Sequence, residues 1–449
     1  MSLYFSLAEL STILKIKPIN NAISNLDVDV MGITTDTRNL NPQSIFIALV
    51  GENFNGHDFV KQAVAKGAIA VIVDHQLDLE DIPQFIVPDT LTAYQQIARW
   101  WRDRWQIPVI GVTGSVGKTS TKELISAVLS TQGKVLKTEA NFNNEIGVPK
   151  TLLQITSDHS YAVIEMAMRG AGEIALLTEI ARPTIGVITN VGTAHIGRLG
   201  SRKAIARAKC ELLAKMSPAS IAILNYDNSL LITTASEVWQ GQIISYGLTG
   251  GDIQGKVCGD KIAVLGQELP LPLSGEHNAS NYLAAIAVAQ ALNIDLAPLV
   301  AGLKVQLPKG RARRYDLPND VVILDETYNA GLESMLAALQ MLKATPGKRH
   351  IAVLGTMKEL GTYSAQLHRQ VGAKAQELEL DLLLILADEA PTQEIAKGAM
   401  GITSECFSNL FTLTNRLKEI MTPGDRVLCK ASNSVGLSKV VAELVPYKT

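Results

Sequence analysis

The sequence predicts a three-domain α/β protein whose largest domain is a mostly parallel, doubly wound sheet. Three observations predict it. At 449 residues the chain is too long for a single hydrophobic core. Short apolar runs alternate with helix-patterned intervals along most of its length. Residues 109–123 pass from one such run, Val109 to Val112, through a glycine loop into a helical pattern.

Residues 1–105 form the first block. Strands are expected at 44–50 and 68–73, with a helix over 58–66 between them. A further helix over 91–105 carries Trp100, Trp101 and Trp105. Two polar, turn-rich stretches, 34–38 and 51–58, adjoin the strands and by themselves read as surface turns.

Pro108 opens the next strand and sets a boundary near 106. In the second block, 106–310, strands are expected at 107–112, 135–138, 161–166, 185–190 and 220–225, with helices in the intervals. Ligands of such sheets sit beyond the C-terminal strand ends. Polar residues fall there: Glu165, Asn190, His195, and Asn143 with Asn144 after the strand at 135. A Pro/Gly-bearing hinge at 307–310 leads to a smaller α/β block, 311–449, with strands at 321–325, 350–354, 382–386 and 426–429.

The glycine loop is Thr113-Gly114-Ser115-Val116-Gly117-Lys118-Thr119. Glycines let successive backbone N–H groups turn toward one anion. The helix N-terminus adds partial positive charge, Lys118 a full one, and a hydroxyl can reach Mg²⁺. The usual nucleotide-binding loop has four residues between its glycines, which would put the first at position 112, where Val112 stands. This loop is therefore a shortened variant. The plain alternative is a chance Gly-Lys-Thr, against which the strand, glycines and helix argue together.

Beside a phosphate loop, a carboxylate such as Glu165 at a strand end is placed to hold Mg²⁺; alone, Glu165 could salt-bridge and His195 cap a loop. Lys209 falls in a helical pattern over 201–216 and shares the inward face with Ile205, Ala208, Leu212 and Met216. Such a lysine either snorkels or, desolvated and nucleophilic, takes up CO₂ as a carbamate, an anionic oxygen ligand for Mg²⁺. Periodicity leaves the two open. His277 and Asn281, at i and i+4 near a helix start, could read a base or ribose; capping by Ser274 or Asn278 is the alternative. Arg311, Arg313 and Arg314 at the joint, and residues 325–330 after the third block's first strand, could face a nucleotide when domains close.

Net charge is −2, with 47% apolar and 19% charged residues, so neither nucleic acid nor an anionic membrane is expected as general partner. No apolar run approaches the ~18–20 residues that span a bilayer, and the start has no basic segment of the secretory kind. Cys210, Cys258, Cys406 and Cys429 form no CxxC pair and suit a reduced, cytoplasmic protein. A monomer is expected.

The motifs together resemble the Mur ligases, ATP-dependent enzymes that extend the peptide of peptidoglycan precursors. The resemblance spans nearly the whole chain: the shortened loop, residues 143–149, Glu165-Met166, 189–195, 208–211, His277-Asn278 with Asn281, and 325–330. The sequence is most similar to the branch that joins D-alanyl-D-alanine to a UDP-N-acetylmuramoyl-tripeptide. Residues 36–38 and 54–58 look like that branch's UDP-binding domain, and Tyr328-Asn329-Ala330 resembles its signature. The Asp-Asn-Pro-Arg motif of the diaminopimelate- or lysine-adding branch is absent.

The resemblance implies a UDP-binding N-terminal α/β domain, a central P-loop ATPase domain and a Rossmann-like C-terminal α/β domain receiving the dipeptide. It implies that Thr37 and Arg38 contact the uridine nucleotide, and Asn143 and Asn144 the muramoyl substrate. Residues 113–119 would hold ATP phosphates, with Thr119, Glu165, His195 and carbamylated Lys209 around Mg²⁺. Asn278 and Asn281 would sit at the adenosine, with Arg311, Asp325 and Asn329 completing the ATP site. Lys118, His195 and Lys209 would be catalytic. Two departures concern the amine substrate: Gly331-Leu332 replace the branch's Asn-Pro, and Ala431-Ser432-Asn433 follow Lys430 in place of Gly-Ser-Arg, removing a possible carboxylate clamp. A folylpolyglutamate synthase-like ligase should lack the 1–105 block. A regulatory nucleotide-binding paralogue would not need Lys118, Glu165, His195 and Lys209 together. A switch GTPase would need an Asn-Lys-x-Asp motif, which is absent.

Overall fold

The structure is a computed structural model that describes residues 4–19, 26–79 and 82–445. The outermost residues of the first and third blocks, 1–3 and 446–449, lie outside the described residues.

In the central domain six parallel strands run in the order Lys134–Lys137, His159–Glu165, Val109–Thr113, Ile185–Ile188, Ile221–Asn225, Gln242–Gly247. The strand feeding the glycine loop is thus central, with Val112 opposite Glu165 on one side and Val187 on the other. Such strands are covered on both faces, which is why they read as continuous apolar runs. Ile110, Val112, Val163 and Val187 pack with helices Lys118–Leu129 and Glu276–Ala291. Val109, Ala162, Ile164 and Ile188 pack with Glu173–Ala181 and Arg202–Lys215. The sheet is doubly wound, as expected.

Its far edge differs from the sequence reading. Ile253–Cys258 pairs parallel with Gln242–Gly247, then continues into antiparallel strands Lys261–Val264 and Gln267–Pro270. Apolar and polar residues alternate here, because one face is wet, so a search for continuous apolar runs passes over them.

The third sheet runs Arg313–Leu317, Val321–Asp325, Asp425–Lys430, Arg349–Gly355, Leu382–Leu386, Ser404–Phe407. Its first strand is antiparallel to its neighbour. Arg313 and Arg314 therefore stand on an edge strand rather than in a basic hinge, and Arg314 pairs with Asp316 at 2.8 Å. Neither of them lines the cavity described below.

The first domain holds a parallel sheet, Gly32–Thr34, Ser44–Ile47, Ala68–Val73, Gln84–Ile86. The run expected at 44–50 breaks after Ile47, and Val50–Gly51 turns into a hairpin with Phe54–Asn55. The helix expected at 58–66 begins as a tight turn, Gly56–Phe59, before Val60–Ala65. Helix Thr90–Asp103, read with this block, is also its seam to the central domain. Trp101 Nε1 donates to Ile155 O at 3.0 Å, and Arg102 donates to the carbonyls of Ala181 and Arg182 at 3.0 and 3.2 Å. Among the described residues no helix is long and apolar enough to cross a membrane, and all four cysteines are free.

Candidate active site

The loop's backbone requires its glycines. Gly114 and Gly117 have φ of 152° and 81°. A Cβ on Gly114 would stand 1.9 Å from Thr189 Oγ1, and one on Gly117 would stand 2.7 Å from Asn281 Oδ1. Gly117 starts helix Lys118–Leu129 with no side-chain cap, leaving N–H groups free for an anion. Asn190 braces the loop from behind: its carbonyl accepts from Ser115 N and its Oδ1 from Val116 N, both at 3.1 Å. Ser115 Oγ in turn accepts from Gly192 N at 2.8 Å.

Around the loop lies a cavity of about 1200 Å³ between the central and third domains. Ser115 to Thr119, Asn143, Asn144, Glu165, His195, Asn278 and Asn281 line it from one side, Arg311 and Asn329 from the other. Thr113 and Gly114 precede this wall, and Thr113 Oγ1 is buried without a partner.

Glu165 is a fixed platform. Its Oε2 accepts from Thr119 Oγ1 at 2.9 Å, its Oε1 from Asn143 Nδ2 at 2.8 Å, and its backbone N–H is held by Thr138 Oγ1 at 2.9 Å. Behind it sits Lys122, buried, with Nζ 2.7 Å from Thr138 O, 3.1 Å from Glu123 and 3.8 Å from Glu165 Oε2. The sequence reading missed Lys122; its signal was i+4 spacing from Lys118 on the inward face of one helix. Asn144 Oδ1 accepts from Gly147 N at 2.9 Å, where helix Gly147–Leu152 begins.

Lys118 Nζ donates to Gly114 O at 2.8 Å, and burial pushes its pKa down against the pull of Glu165. Lys209 lies behind the cavity wall, 1% exposed, with no acceptor or counter-ion among the described residues. It does not snorkel. Burial, and then the charge of Lys118, hold its pKa well below the lysine range. His195 adopts a left-handed backbone, φ 65°, and places Nδ1 2.6 Å from Glu359 Oε2 of the third domain, out of hydrogen-bond alignment. Burial holds this imidazole below its ordinary pKa, opposed by Glu359.

In the third domain the Arg311 guanidinium lies 3.9 Å over the Tyr328 ring, and its buried Nε has no partner. Lys430, also buried, donates to the carbonyls of Asn329 and Glu326 at 2.9 and 3.4 Å. Burial and then Lys430 push His277 down to about 4. Asn278 donates to Ser274 O at 2.8 Å. Asn281 Oδ1 accepts from Thr121 Oγ1 at 3.1 Å, tying its helix to that of the loop.

Besides Thr113, Gly114 and Lys209, the predicted residues Asp325, Thr37 and Arg38 do not line the cavity. Asp325 turns its Oδ1 to Thr327, accepting from N at 3.1 Å and Oγ1 at 2.6 Å, and its neighbour Glu326 lines the wall instead. Thr37 and Arg38 lie at the first sheet's C-terminal edge. Thr37 donates to Gln62 Oε1 at 2.8 Å, and exposed Arg38 grips Asp36, holding that carboxyl at about 2. Of the sequence departures, Gly331 and Asn433 line the cavity.

Beside the loop the cavity gathers Lys118, Arg311 and Lys430, with Lys209 behind; Glu165, Glu326 and four further glutamates also line it, so the positive charge is local to the loop and the buried cations. Buried cations are costly unless compensated. A polyphosphate is the ligand whose charge and size fit. The donors around Glu165 also fit Mg²⁺: a carboxylate and a hydroxyl oxygen, 2.9 Å apart beside the loop, are hard ligands of the kind that ion takes.

Comparisons with known proteins agree. Profiles of the Mur ligase family match in three consecutive segments: the family's catalytic domain at 29–100, its middle domain at 112–289 and its glutamate ligase domain at 310–433. The chain is 59% identical over 428 residues to the UDP-N-acetylmuramoyl-tripeptide–D-alanyl-D-alanine ligase of Synechocystis, covering 94% of each chain. The crystal structure of MurF from Acinetobacter baumannii superposes with a TM-score of 0.89 at 32% identity, covering 98% of both chains. MurF of Thermotoga maritima, solved in complex with ADP, gives 0.82 at 28% identity over 91% of this chain and 96% of that one. With its shortened phosphate loop, its three domains in order and these relatives along its whole length, the chain belongs to the Mur ligase family.

Proposed function

We propose that this chain is the ATP-dependent ligase that joins D-alanyl-D-alanine to UDP-N-acetylmuramoyl-tripeptide, the reaction named for its 59%-identical relative. The observation that carries the reading is the cavity itself: Lys118, Arg311 and Lys430 converge from two domains on a space lined by an uncapped helix N-terminus.

In the first step the tripeptide's terminal carboxylate attacks the γ-phosphorus of ATP. The bond from phosphorus to the bridging oxygen breaks, and ADP leaves an acyl phosphate. Two anions must meet, and Lys118 with the Gly117–Thr119 N–H groups is placed to neutralise the transferring group. Mg²⁺, held by Thr119 and Glu165 with His195 and Lys209 contributing, would supply further charge neutralisation between the phosphates. Lys209 is read as carbamylated: burial lowers the pKa of this amine and so favours its nucleophilic form toward CO₂, and as a carbamate it becomes an anion beside Lys118. In the second step the dipeptide's amine attacks the acyl carbon, and the tetrahedral adduct expels phosphate as the amide forms. Asn143 and Asn144 are assigned to the muramoyl substrate, Thr37 and Arg38 to its uridine end, Asn278, Asn281 and Asn329 to the nucleotide. Asp325, turned to Thr327, is assigned to holding the strand end whose next residue, Glu326, lines the cavity. The protein is read as a cytoplasmic monomer.

The test supplies ATP, Mg²⁺, the UDP-muramoyl tripeptide and D-alanyl-D-alanine. Dipeptide-dependent phosphate release with formation of UDP-muramoyl pentapeptide is expected. Release that ignores the dipeptide, or no pentapeptide, overturns the assignment.

A further inference from the structure

A second cluster lies in the first domain, away from the ATP cavity. His57 starts in the turn Gly56–Phe59, while Asp74 and His75 follow strand Ala68–Val73 at the sheet's C-terminal edge. His57 Nε2 is 3.1 Å from Asp74 Oδ1, and His75 Nδ1 closes on the same oxygen. The two imidazoles stack at 4.7 Å between centroids, 27° apart. All three donor atoms lie within 4.8 Å of one another.

The tautomer of His57 is fixed by its neighbours. Asn55 Oδ1 accepts from His57 backbone N at 3.0 Å and lies 2.7 Å from His57 Nδ1, so Nδ1 carries the proton. Nε2 then accepts from the Asp74 backbone N at 3.2 Å, with Asp74 Oδ1 3.1 Å away. A dication bound between Nε2 and Oδ1 would displace that backbone N–H and relieve the close approach of the imidazole nitrogen and the carboxylate oxygen. The His57 side chain is 5% exposed, while Asp74 and His75 are 36% and 59% exposed, so the trio is anchored on one side and open on the other.

We infer that His57, Asp74 and His75 form a binding site for a transition-metal dication of the Zn²⁺ class. Two imidazoles and a carboxylate with an open fourth position suit such an ion, and imidazole disfavours Mg²⁺. Ligand atoms around a tetrahedral ion with bonds of about 2.0–2.1 Å stand about 3.3 Å apart, close to the His57–Asp74 separation, whereas exposed His75 sits nearer the Asp74 oxygen than that and has to swing outward to share an ion with it. Asn55 acts as the outer partner that orients His57. A bound ion would tie the 54–57 hairpin end to the strand end at 74–75. Its three donors lie outside the ATP cavity.

The experiment uses the full chain, stripped with a chelator and held in excess Mg²⁺ to occupy the oxygen site. Titration with Zn²⁺ by calorimetry and with Co²⁺ by visible absorption should show one equivalent bound, and Zn²⁺ should raise the Tm. His75→Ala and Asp74→Asn, both at exposed positions, should each weaken binding by about tenfold or more and abolish the Tm gain. The activity of His75→Ala without Zn²⁺ should match wild type. No binding, or binding of wild-type strength in both variants, overturns the proposal; the latter result would place the ion elsewhere, for example at exposed Cys258 or Cys406.

Discussion

Glu333, at the start of helix Leu332–Ala344 in the third domain, accepts hydrogen bonds from both the N–H and the hydroxyl of Thr193 in the central domain, at 2.7 and 3.1 Å. Thr193 lies two residues before His195, so this contact fixes the loop that carries His195 to the opposite cavity wall. Glu359 adds to it by accepting from Gly197 N at 3.2 Å, and Tyr363 OH donates to Gly200 O at 2.9 Å. The domains meet through these contacts, which lie at the rim of the cavity between them.

Glu333→Ala should therefore favour the open arrangement. A hydrogen bond to a charged group contributes about 1.5–3 kcal/mol, so kcat/KM should fall by about 10–100-fold. Small-angle scattering with nucleotide should show a larger radius of gyration than wild type, while the Tm changes little. A variant with normal kcat/KM would assign closure to the other contacts.

Lys118→Met removes the full positive charge of the glycine loop and should lower kcat by about 10²–10³-fold, with the fold retained by circular dichroism. Lys209→Ala should lose a comparable amount while nucleotide still binds. Its loss should be partly restored by a small carboxylate such as propionate, which substitutes for a carbamate but not for an ammonium. Wild-type protein equilibrated with ¹³CO₂ should show a carbamate carbon signal that Lys209→Ala lacks. Absence of both rescue and signal would leave Lys209 a buried amine.

Much of this site was legible in the sequence because its members are local: a loop, the residue ending a strand, the residues opening a helix. Strand–helix alternation sets Glu165 beside the loop of Lys118, while Asn281 is placed at the nucleotide only by the family resemblance. What escaped was set by tertiary contact. Glu333 and Glu359 matter only because the third domain docks on 193–200, and no linear pattern encodes that. Asp325 and Glu326 differ by one position, and a one-residue step sends side chains to opposite sides of a strand; the sequence reading chose the one that faces Thr327. Lys122 was hidden by Lys118, since both lie on one helix and only the first belongs to the loop.

His277 gives the pH dependence of stability a definite sign. Its folded pKa, about 4, lies below the unfolded value of about 6.5. Between those limits the unfolded chain binds more protons, so stability falls as pH drops from 6.5 toward 4. His277 is only part-buried, so the effect should be on the order of 1 kcal/mol between pH 7 and 5. Urea midpoints at the two pH values should converge in His277→Gln relative to wild type. An unchanged gap would place the titration elsewhere.

Trp101 tests the seam between the first and central domains. Its ring is 3% exposed, and its Nε1 donates to Ile155 O across the domain boundary. Trp101→Ala leaves a cavity and should cost about 3–5 kcal/mol. Trp101→Phe keeps most of the apolar area but leaves the Ile155 carbonyl without its donor, at about 1–3 kcal/mol. If the seam is rigid, both losses appear in a single cooperative unfolding transition. If the first domain unfolds on its own, Trp101→Ala should split the calorimetric trace in two, and the lower peak should be insensitive to ADP. The apolar cluster that holds Trp101 also takes in Phe5, Ile164 and Ile205, residues of both domains, and that continuity favours the single transition.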